Sequence, residues 1–238
     1  MIVRYITEGW EIITQRSHGL LAAQICAQWK KENQPKRWVD TLIATAEHDD
    51  VYNEFENDGL LGEHGGPVDF KMNSFREDYC ESLLDMALTK SRYIAILTSR
   101  HIQFLYDNDP AAKSYCIALR KRERLWFRET KTRRREISAA YQLLEFCDAF
   151  SLLICQDLVQ PEHRKIEIST GPDGKHYSVG ELSDARLTVS PWPFEQPSFT
   201  VSYESRVLNQ LVFKDLNEFR KAIKAATVKF HEIRIAKS

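Results

Sequence analysis

The chain has 238 residues, of which 43% are hydrophobic and 28% are charged, a composition typical of a folded globular protein. Its 33 basic and 34 acidic residues give a formal net charge of -1, which excludes a globally basic nucleic-acid-binding protein. The uninterrupted apolar runs fall well short of the roughly 20 residues of a membrane span, and Glu8 comes too early for a signal peptide, so no membrane association is expected.

The first 14 residues alternate in hydrophobicity around a Glu8-Gly9 turn and predict a short β hairpin. Helical spacing then continues for about 140 residues. Ser17 is predicted to cap a first helix that runs to about Lys31. Pro35 is predicted to begin a second helix, which fades by Phe55.

Four glycines and one proline in residues 57–73 predict a loop, and a loop of this length commonly covers a site or is disordered. Three helical stretches follow it, over Phe75–Thr89, Arg92–Tyr106 and Pro110 to about Leu158. The third stretch is too long for an ordinary globular helix, so we predict a break near Glu129–Thr132.

After Pro161 the spacing becomes that of strands, with a strong turn at Gly171–Gly174, one helix capped by Asp215 and a last strand over Val228–Ala236. The pattern predicts a mainly α helical body with an added antiparallel β sheet formed by both termini, α+β overall. Residues 1–160 would form the hairpin and the helical body. Residues 161–238 would form a β-rich C-terminal subdomain with one helix.

Metal-ligand residues lie in four separated stretches of the helical region: His18, His48-Asp49, His101 and Asp148. Burying an unpaired carboxylate is costly, and neither Asp49 nor Asp148 shares its apolar stripe with Lys or Arg. A divalent cation would neutralise them, and imidazole with carboxylate suits iron, manganese, zinc or cobalt. The alternatives are a buried pair joining two helices at His48-Asp49, a hydrogen-bonded core carboxylate at Asp148 and a core histidine at His101.

Other polar residues near these stretches have weaker assignments. Glu47 and Asp50 flank the His-Asp pair and are candidates for orienting a ligand or acting as the catalytic base, or they form a solvated face. Arg100 and Arg76 are candidates for binding an anionic small-molecule substrate. His64 in the glycine loop is a further candidate ligand. Three more histidines are interpreted as surface residues: His163, His176 and His231.

The order of His18, His48-Asp49 and Asp148 in a helical body resembles the HD-domain superfamily of metal-dependent hydrolases. Residues 1–160 also resemble an uncharacterised bacterial domain-of-unknown-function family through four motifs. These are Glu47–Asp50, the Gly65–Phe70 segment, Ser99-Arg100-His101 followed by Leu105-Tyr106, and Asp148 to Leu152. This second resemblance implies no activity.

The superfamily resemblance implies an HD-like helical bundle and a hydrolase that uses a metal-bound hydroxide. In phosphohydrolase members, a small residue and a Lys or Arg come after the His-Asp pair. This chain has Asp50-Val51-Tyr52 there, so the resemblance does not establish a phosphoester substrate. In dinuclear members the Asp bridges two metals, and His101 would then hold the second ion. The function alternatives are therefore a one-metal hydrolase, a dinuclear-iron oxygenase and a non-catalytic binding or scaffold protein.

Nine basic residues against three acidic ones in residues 120–136 form a basic segment with Trp126 and Phe127 interleaved. Such a segment could contact nucleic acid. An exposed helix surface, or a contact with the acidic 47–63 segment of another copy in a homo-oligomer, is the favoured interpretation. The five cysteines are odd in number and form no Cys-x-x-Cys pair, which predicts free thiols and a cytoplasmic location.

Overall fold

The computed structural model describes residues 1–162 and 164–238, so the interpretation of His163 lies outside the described residues. The longer helices are α1 (Gln15–Ala27), α2 (Trp38–Ala46), α3 (Glu77–Leu88), α4 (Arg92–Tyr106), α5 (Lys113–Thr130), α6 (Arg134–Cys155) and α7 (Leu216–Ala225). The strands are β1 (Ile2–Ile6), β2 (Gly9–Ile13), β3 (Ile166–Thr170), β4 (His176–Glu181), β5 (Leu187–Ser190), β6 (Ser198–Leu208) and β7 (Thr227–Ala236).

All of these strands belong to one curled sheet with the order β1-β2-β6-β7-β5-β4-β3. The N-terminal hairpin does join the C-terminal strands, because β2 pairs with β6. The sheet is mixed, however, since β5 and β7 run parallel. About 46% of the chain is helical and 21% lies in this sheet, so the fold is mixed α/β. The prediction of a mainly α, HD-like helical bundle with an added antiparallel sheet is wrong.

The physical reason for this difference is that the sheet forms a complete layer of the core. Apolar residues of α1 and α6 pack in one cluster with residues of the strands. Phe146 of α6 shows the arrangement. The centre of its ring lies 5.2 Å from the ring centre of Trp29, just after α1, and 5.2 Å from that of Tyr177 in β4. The helices α2 and α4 pack on the other side of α1 and α6. The helical region is therefore not a bundle closed on itself.

Several local predictions are confirmed, and others change. The chain leaves the helical conformation between Thr130 and Arg134, as predicted, and α4 has the predicted bounds. Thr14 caps α1, not Ser17: its side chain accepts a hydrogen bond from the Ser17 backbone N–H at 3.2 Å. The α2 helix ends at Ala46, and residues 47–50 form a turn. The strand β4 was not predicted.

Two of the histidines interpreted as surface residues differ from each other in solvent exposure. His176 is exposed, as predicted. His231 is partly buried: its ring stacks on Tyr203 at 4.4 Å between centroids, and its Nε2 lies 2.9 Å from a Glu11 carboxylate oxygen. The surface interpretation of His231 is therefore wrong.

The α6 helix is long and apolar enough to cross a membrane by length and composition alone. More than half of its apolar window, 56%, is buried inside the protein. A helix packed between a sheet and further helices needs apolar residues on most of its circumference. This position accounts for the composition of α6.

Candidate metal centre

Three elements bring the predicted ligands together at the contact between α1, α6 and the end of α2. His18 lies in the first turns of α1, His48 and Asp49 lie in the turn that follows α2, and Asp148 lies on α6. His101 comes from α4, which packs against both α2 and α6. The imidazoles of His18, His48 and His101 are almost completely buried. Residues from four separate segments therefore meet inside the protein.

Three donor atoms form a small triangle at this point. His18 Nε2 lies 3.1 Å from His48 Nε2 and 3.0 Å from Asp148 Oδ1, and the third side, His48 Nε2 to Asp148 Oδ1, is 3.4 Å. Donors about 2.1 Å from one ion at the angles of octahedral or tetrahedral coordination lie roughly 3.0–3.4 Å apart. The spacing of the three atoms therefore fits a single divalent ion.

Hydrogen bonds on the far side of each ring set which nitrogen faces the triangle. His48 Nδ1 lies 2.8 Å from the Thr45 backbone carbonyl oxygen, which can only accept, so Nδ1 carries the hydrogen. The Ser151 hydroxyl donates to the Asp148 backbone carbonyl oxygen at 2.9 Å and therefore accepts from His18 Nδ1 at 2.8 Å. In the neutral rings both Nε2 atoms present lone pairs to the triangle, the orientation that metal-binding histidines need.

The electrostatics show that this site requires positive charge. Burial lowers the pKa of His48, but the carboxylates of Asp49 and Asp148 outweigh burial and raise that pKa to about 9. Burial would raise the pKa of Asp148, but the neighbouring imidazoles hold it well below its usual range. Two lone pairs and a carboxylate oxygen at these distances repel one another unless a proton or a metal cation lies between them.

Asp49 lies between two of the imidazoles. Its Oδ2 is 3.7 Å from His48 Nε2, and its Oδ1 is 3.9 Å from His101 Nε2. Donor atoms of His18, His48 and Asp49 lie within 4.8 Å of one another, and so do those of His48, His101 and Asp148. Burial, with a smaller contribution from His48, lowers the pKa of His101. The five predicted ligands thus form two overlapping groups.

Gly19 allows the close approach of α1 to the end of α2. A Cβ atom at Gly19 would lie 2.4 Å from the Ala46 backbone carbonyl oxygen and 4.0 Å from the His48 ring. A side chain at position 19 would therefore push α1 away from the turn that holds His48. This glycine was not identified from the sequence, although a glycine next to a candidate ligand on an apolar helix is a usable signal for a close backbone contact.

Replacing Gly19 with alanine is expected to destabilise the fold by roughly 1–3 kcal/mol. The new methyl group would overlap a backbone oxygen, which cannot move aside as the end of a flexible side chain can. It should also weaken metal binding, because His18 moves with α1. Thermal unfolding and a metal titration measure the two effects. Gly66→Ala is the matched control, because a Cβ at Gly66 meets nothing within 4 Å. Equal behaviour of the two variants would contradict the role of Gly19.

Two further residues support the ligands and were missed in the sequence. The Gln15 side chain, buried in the first turn of α1, donates from Nε2 to Asp49 Oδ2 at 2.7 Å. Ser151 orients His18 by accepting the hydrogen bond from its Nδ1. Neither residue type by itself signals a metal site. The position of Ser151 one turn after Asp148 is the only pattern that could have suggested it.

A cavity of about 250 Å³ opens beside the donor atoms. Asp49, His101 and Asp148 line it together with Gln15, Lys71 and Asn73, and its apolar and aromatic wall comprises Tyr52, Phe70, Leu105, Tyr106 and Leu152. Burial raises the pKa of Tyr52 and of Tyr106, so both phenols stay protonated, and their hydroxyls hydrogen-bond to each other. A small molecule in this cavity would contact the predicted ligands directly.

The structure does not bring the predicted catalytic residues to this cavity. Glu47 forms an ion pair with Lys90 at 2.8 Å. The Asp50 carboxylate lies 3.8 Å from Arg16, whose guanidinium also donates to the Asp50 backbone oxygen at 2.7 Å. Both residues remain close to the site in sequence, but their side chains are engaged elsewhere.

The predicted substrate-binding arginines and His64 also lie apart from the donor atoms. Arg100 pairs with the buried Glu123 at 2.9 Å. Arg76 stacks on Tyr79 and lines a neighbouring cavity that shares Tyr52 and Asn73 with the first. His64 lines a different cavity, beside residues 213–216. The guanidinium of Arg76 is also paired with Asp78.

Metal binding is expected to be pH-dependent, because the pKa of His48 is raised to about 9 and a metal must displace its proton. Below that pKa the apparent affinity should rise by roughly tenfold per pH unit as one proton is released. Competition with a chelator at pH 6 to 9, corrected for the chelator's own protonation, measures this slope. A flat profile over this interval would contradict the assignment of His48 as a ligand.

The fold and the site define a mixed α/β protein with a candidate metal centre enclosed by α1, α2, α4 and α6. The sequence model of the family described as "Protein of unknown function (DUF3891)" matches residues 1–210. The chain therefore belongs to this family. No curated protein and no solved structure matches the chain. The comparisons give no support to the resemblance to the HD-domain superfamily.

Proposed function

We propose that this protein is a metal-dependent hydrolase in which His18, His48 and Asp148 hold one divalent ion. The observation that supports this most directly is the triangle of donor atoms, with sides of 3.0, 3.1 and 3.4 Å. Two imidazole nitrogens and one carboxylate oxygen suit iron, manganese, zinc or cobalt. A bound ion of this kind would supply Lewis acidity and a water of lowered pKa.

The residues around the donor atoms have separate roles in this proposal. Gln15 holds Asp49 through its 2.7 Å hydrogen bond and leaves the other carboxylate oxygen facing His101. Asp49 is thus the carboxylate available to accept a proton, since Glu47 and Asp50 are engaged by other side chains. Leu105 and Leu152 add apolar surface to the cavity wall, on which the apolar part of a substrate would pack.

The cavity also limits the class of substrate. Tyr52 and Tyr106 offer phenol hydroxyls, and Lys71 provides a positive charge in the wall. Arg76 lines the adjoining cavity, but its guanidinium is paired with Asp78. A small molecule with an anionic group and a flat or apolar part matches these walls. A volume of about 250 Å³ excludes a polymeric substrate from lying entirely within the first cavity.

The test begins with metal analysis of protein purified without chelator from metal-supplemented cells. The metal-loaded protein is then assayed against phosphoesters, phosphonates and carboxylic esters. We expect hydrolysis that a chelator abolishes and that added manganese, iron, zinc or cobalt restores. Asp49→Asn should lower kcat far more than it lowers the metal content. Protein that takes up none of these metals at neutral pH would overturn the proposal.

The second candidate is a dinuclear-iron oxygenase. It is favoured by the two oxygens of Asp49, since Oδ2 lies 3.7 Å from His48 Nε2 and Oδ1 lies 3.9 Å from His101 Nε2. In this candidate Asp49 would contribute to holding both ions, and His101 would hold the second. The metal count separates the two candidates. A second iron per chain that His101→Ala removes, together with an absorption change on exposure to oxygen, would favour the oxygenase.

A further inference from the structure

A separate cavity, of about 500 Å³, lies at the opposite ends of the helices that lead to the metal centre. It is formed by the segment before α2, the turn between α5 and α6, and the β3–β4 turn. Its lining includes Ala139, which precedes Asp148 by nine residues on α6, a distance of about 13 Å along the helix. The cavity is therefore separate from the metal centre, and a ligand bound in it would be independent of the proposed function.

The charge of this cavity is strongly positive. Four cationic side chains line it against the single carboxylate of Glu136: Lys36, Arg37, Lys131 and Arg135. Lys36 is paired with Glu136 at 3.3 Å, and Arg37 is paired with Asp40 at 2.6 Å. Within the described part of the chain, no carboxylate lies within ion-pair distance of Lys131 or Arg135. Two cations at the mouth are thus free to bind an anion.

The backbone of Lys131 gives a second, independent indication. This residue follows α5 in the left-handed conformation, with φ 52° and ψ 24°. Helices commonly place glycine at this position, because a side chain makes the conformation unfavourable. The chain instead places a lysine there, and this exposed lysine belongs to the lining of the cavity. A role for the ammonium group accounts for a residue that is unfavourable for the backbone.

The rest of the lining combines apolar residues with the polar residues Asn33, Gln34 and Thr132. Pro35, Ala139 and Pro172 supply apolar surface from three separate segments, whereas Tyr93 is only 2% exposed and the Arg37 guanidinium covers its ring at 4.6 Å from the centre. The volume is within the range of sites for small organic ligands. An inorganic anion would leave this apolar surface in contact with water, and a neutral apolar molecule would leave Lys131 and Arg135 unpaired.

We propose that this cavity is a binding site for a small organic anion. Its apolar or aromatic body packs on Pro35, Ala139 and Pro172, and its carboxylate or sulfonate group accepts hydrogen bonds from Lys131 and Arg135. The site also accounts for part of the basic 120–136 segment. Other cations of that segment are neutralised within the protein, since Arg120 pairs with Asp107 and Arg122 pairs with Glu81.

Calorimetric titration of the full chain with three probes tests both parts of the proposal. Naphthalene-1-sulfonate should bind saturably with one site per chain. Its neutral counterpart naphthalene-1-sulfonamide and inorganic sulfate should bind at least roughly tenfold more weakly, because each lacks one half of the interaction. No saturable binding of the sulfonate, or equal binding of either comparison probe, would overturn the proposal.

Two variants test whether the sulfonate binds in this cavity. Arg135→Ala and Lys131→Gly should each weaken sulfonate binding by roughly tenfold or more. Lys131→Gly should also unfold at a temperature no lower than that of the unmodified protein, because glycine favours the left-handed conformation, so weaker binding cannot be attributed to misfolding. Arg124→Ala removes an exposed cation of α5 and should leave the affinity unchanged. An equal loss in Arg124→Ala would show non-specific charge attraction and refute the site.

Discussion

Replacing His48 with alanine is expected to reduce the divalent metal retained by the purified protein to background. His48 Nε2 is one corner of the donor triangle and lies 3.1 Å from His18 Nε2 and 3.4 Å from Asp148 Oδ1. The Nδ1 of the same ring donates a hydrogen bond to the Thr45 carbonyl oxygen. Contacts that only orient a ligand are worth roughly 10–100-fold in metal affinity, so loss of the ligand itself should cost more than that. Elemental analysis and chelator competition measure the change.

His176→Ala is the matched control for this experiment, because His176 is exposed on β4 and lies outside the candidate metal centre. It should retain the metal content and affinity of the unmodified protein. Asp148→Asn provides a second variant that keeps the volume of the side chain but removes its charge. Circular dichroism confirms that each variant is folded. Equal metal content in His48→Ala and His176→Ala would refute the candidate metal centre.

Replacing Phe146 with alanine is expected to destabilise the protein by roughly 3–5 kcal/mol. The Phe146 ring is fully buried on α6 and contacts both Trp29 and Tyr177 at 5.2 Å between centroids. It therefore joins the helical layer to the sheet. Because one apolar cluster spans both layers, the two should unfold in a single transition that moves to lower temperature or lower denaturant concentration.

Phe104→Ala is the control, since Phe104 is 58% exposed on α4 and its removal leaves no closed cavity. Its effect should be at most about 0.5 kcal/mol, as for most surface substitutions. Urea unfolding followed by tryptophan fluorescence and by circular dichroism gives both free energies. If Phe146→Ala shifted only part of a biphasic transition, residues 161–238 would be an independent unit and the joint core would be wrong.

Most local structure followed from the sequence because short-range patterns determine it. The bounds of α4, the break after α5 and the cap of α7 by Asp215 all depend on residues within a few positions of one another. The cap of α1 was misplaced by three residues because Thr14 and Ser17 are both good capping residues. Helix propensity alone does not choose between two such residues.

The overall fold could not be obtained in this way. Counting helical residues in the first 160 positions favoured a helical bundle, but pairing between β2 and β6 joins residues about 200 positions apart. That pairing makes the sheet a full layer and determines which faces of α1 and α6 are buried against strands. Local patterns predicted that both termini would join one sheet, but not the parallel pairing of β5 with β7 or the packing of α1 and α6 on that sheet. The free energy of both comes from contacts that form only in the folded chain.

The sequence by itself determined which residues are the candidate ligands: imidazoles and carboxylates on apolar stretches are costly unless they are paired, and this cost is visible without a structure. Only the tertiary structure decided their arrangement. It brought His18, His48 and Asp148 to within 3.4 Å, it engaged Glu47 and Asp50 elsewhere, and it supplied Gln15 as a support. The reason is that a side chain's chemistry is local, whereas its distance from a partner 130 residues away depends on the packing of the whole core.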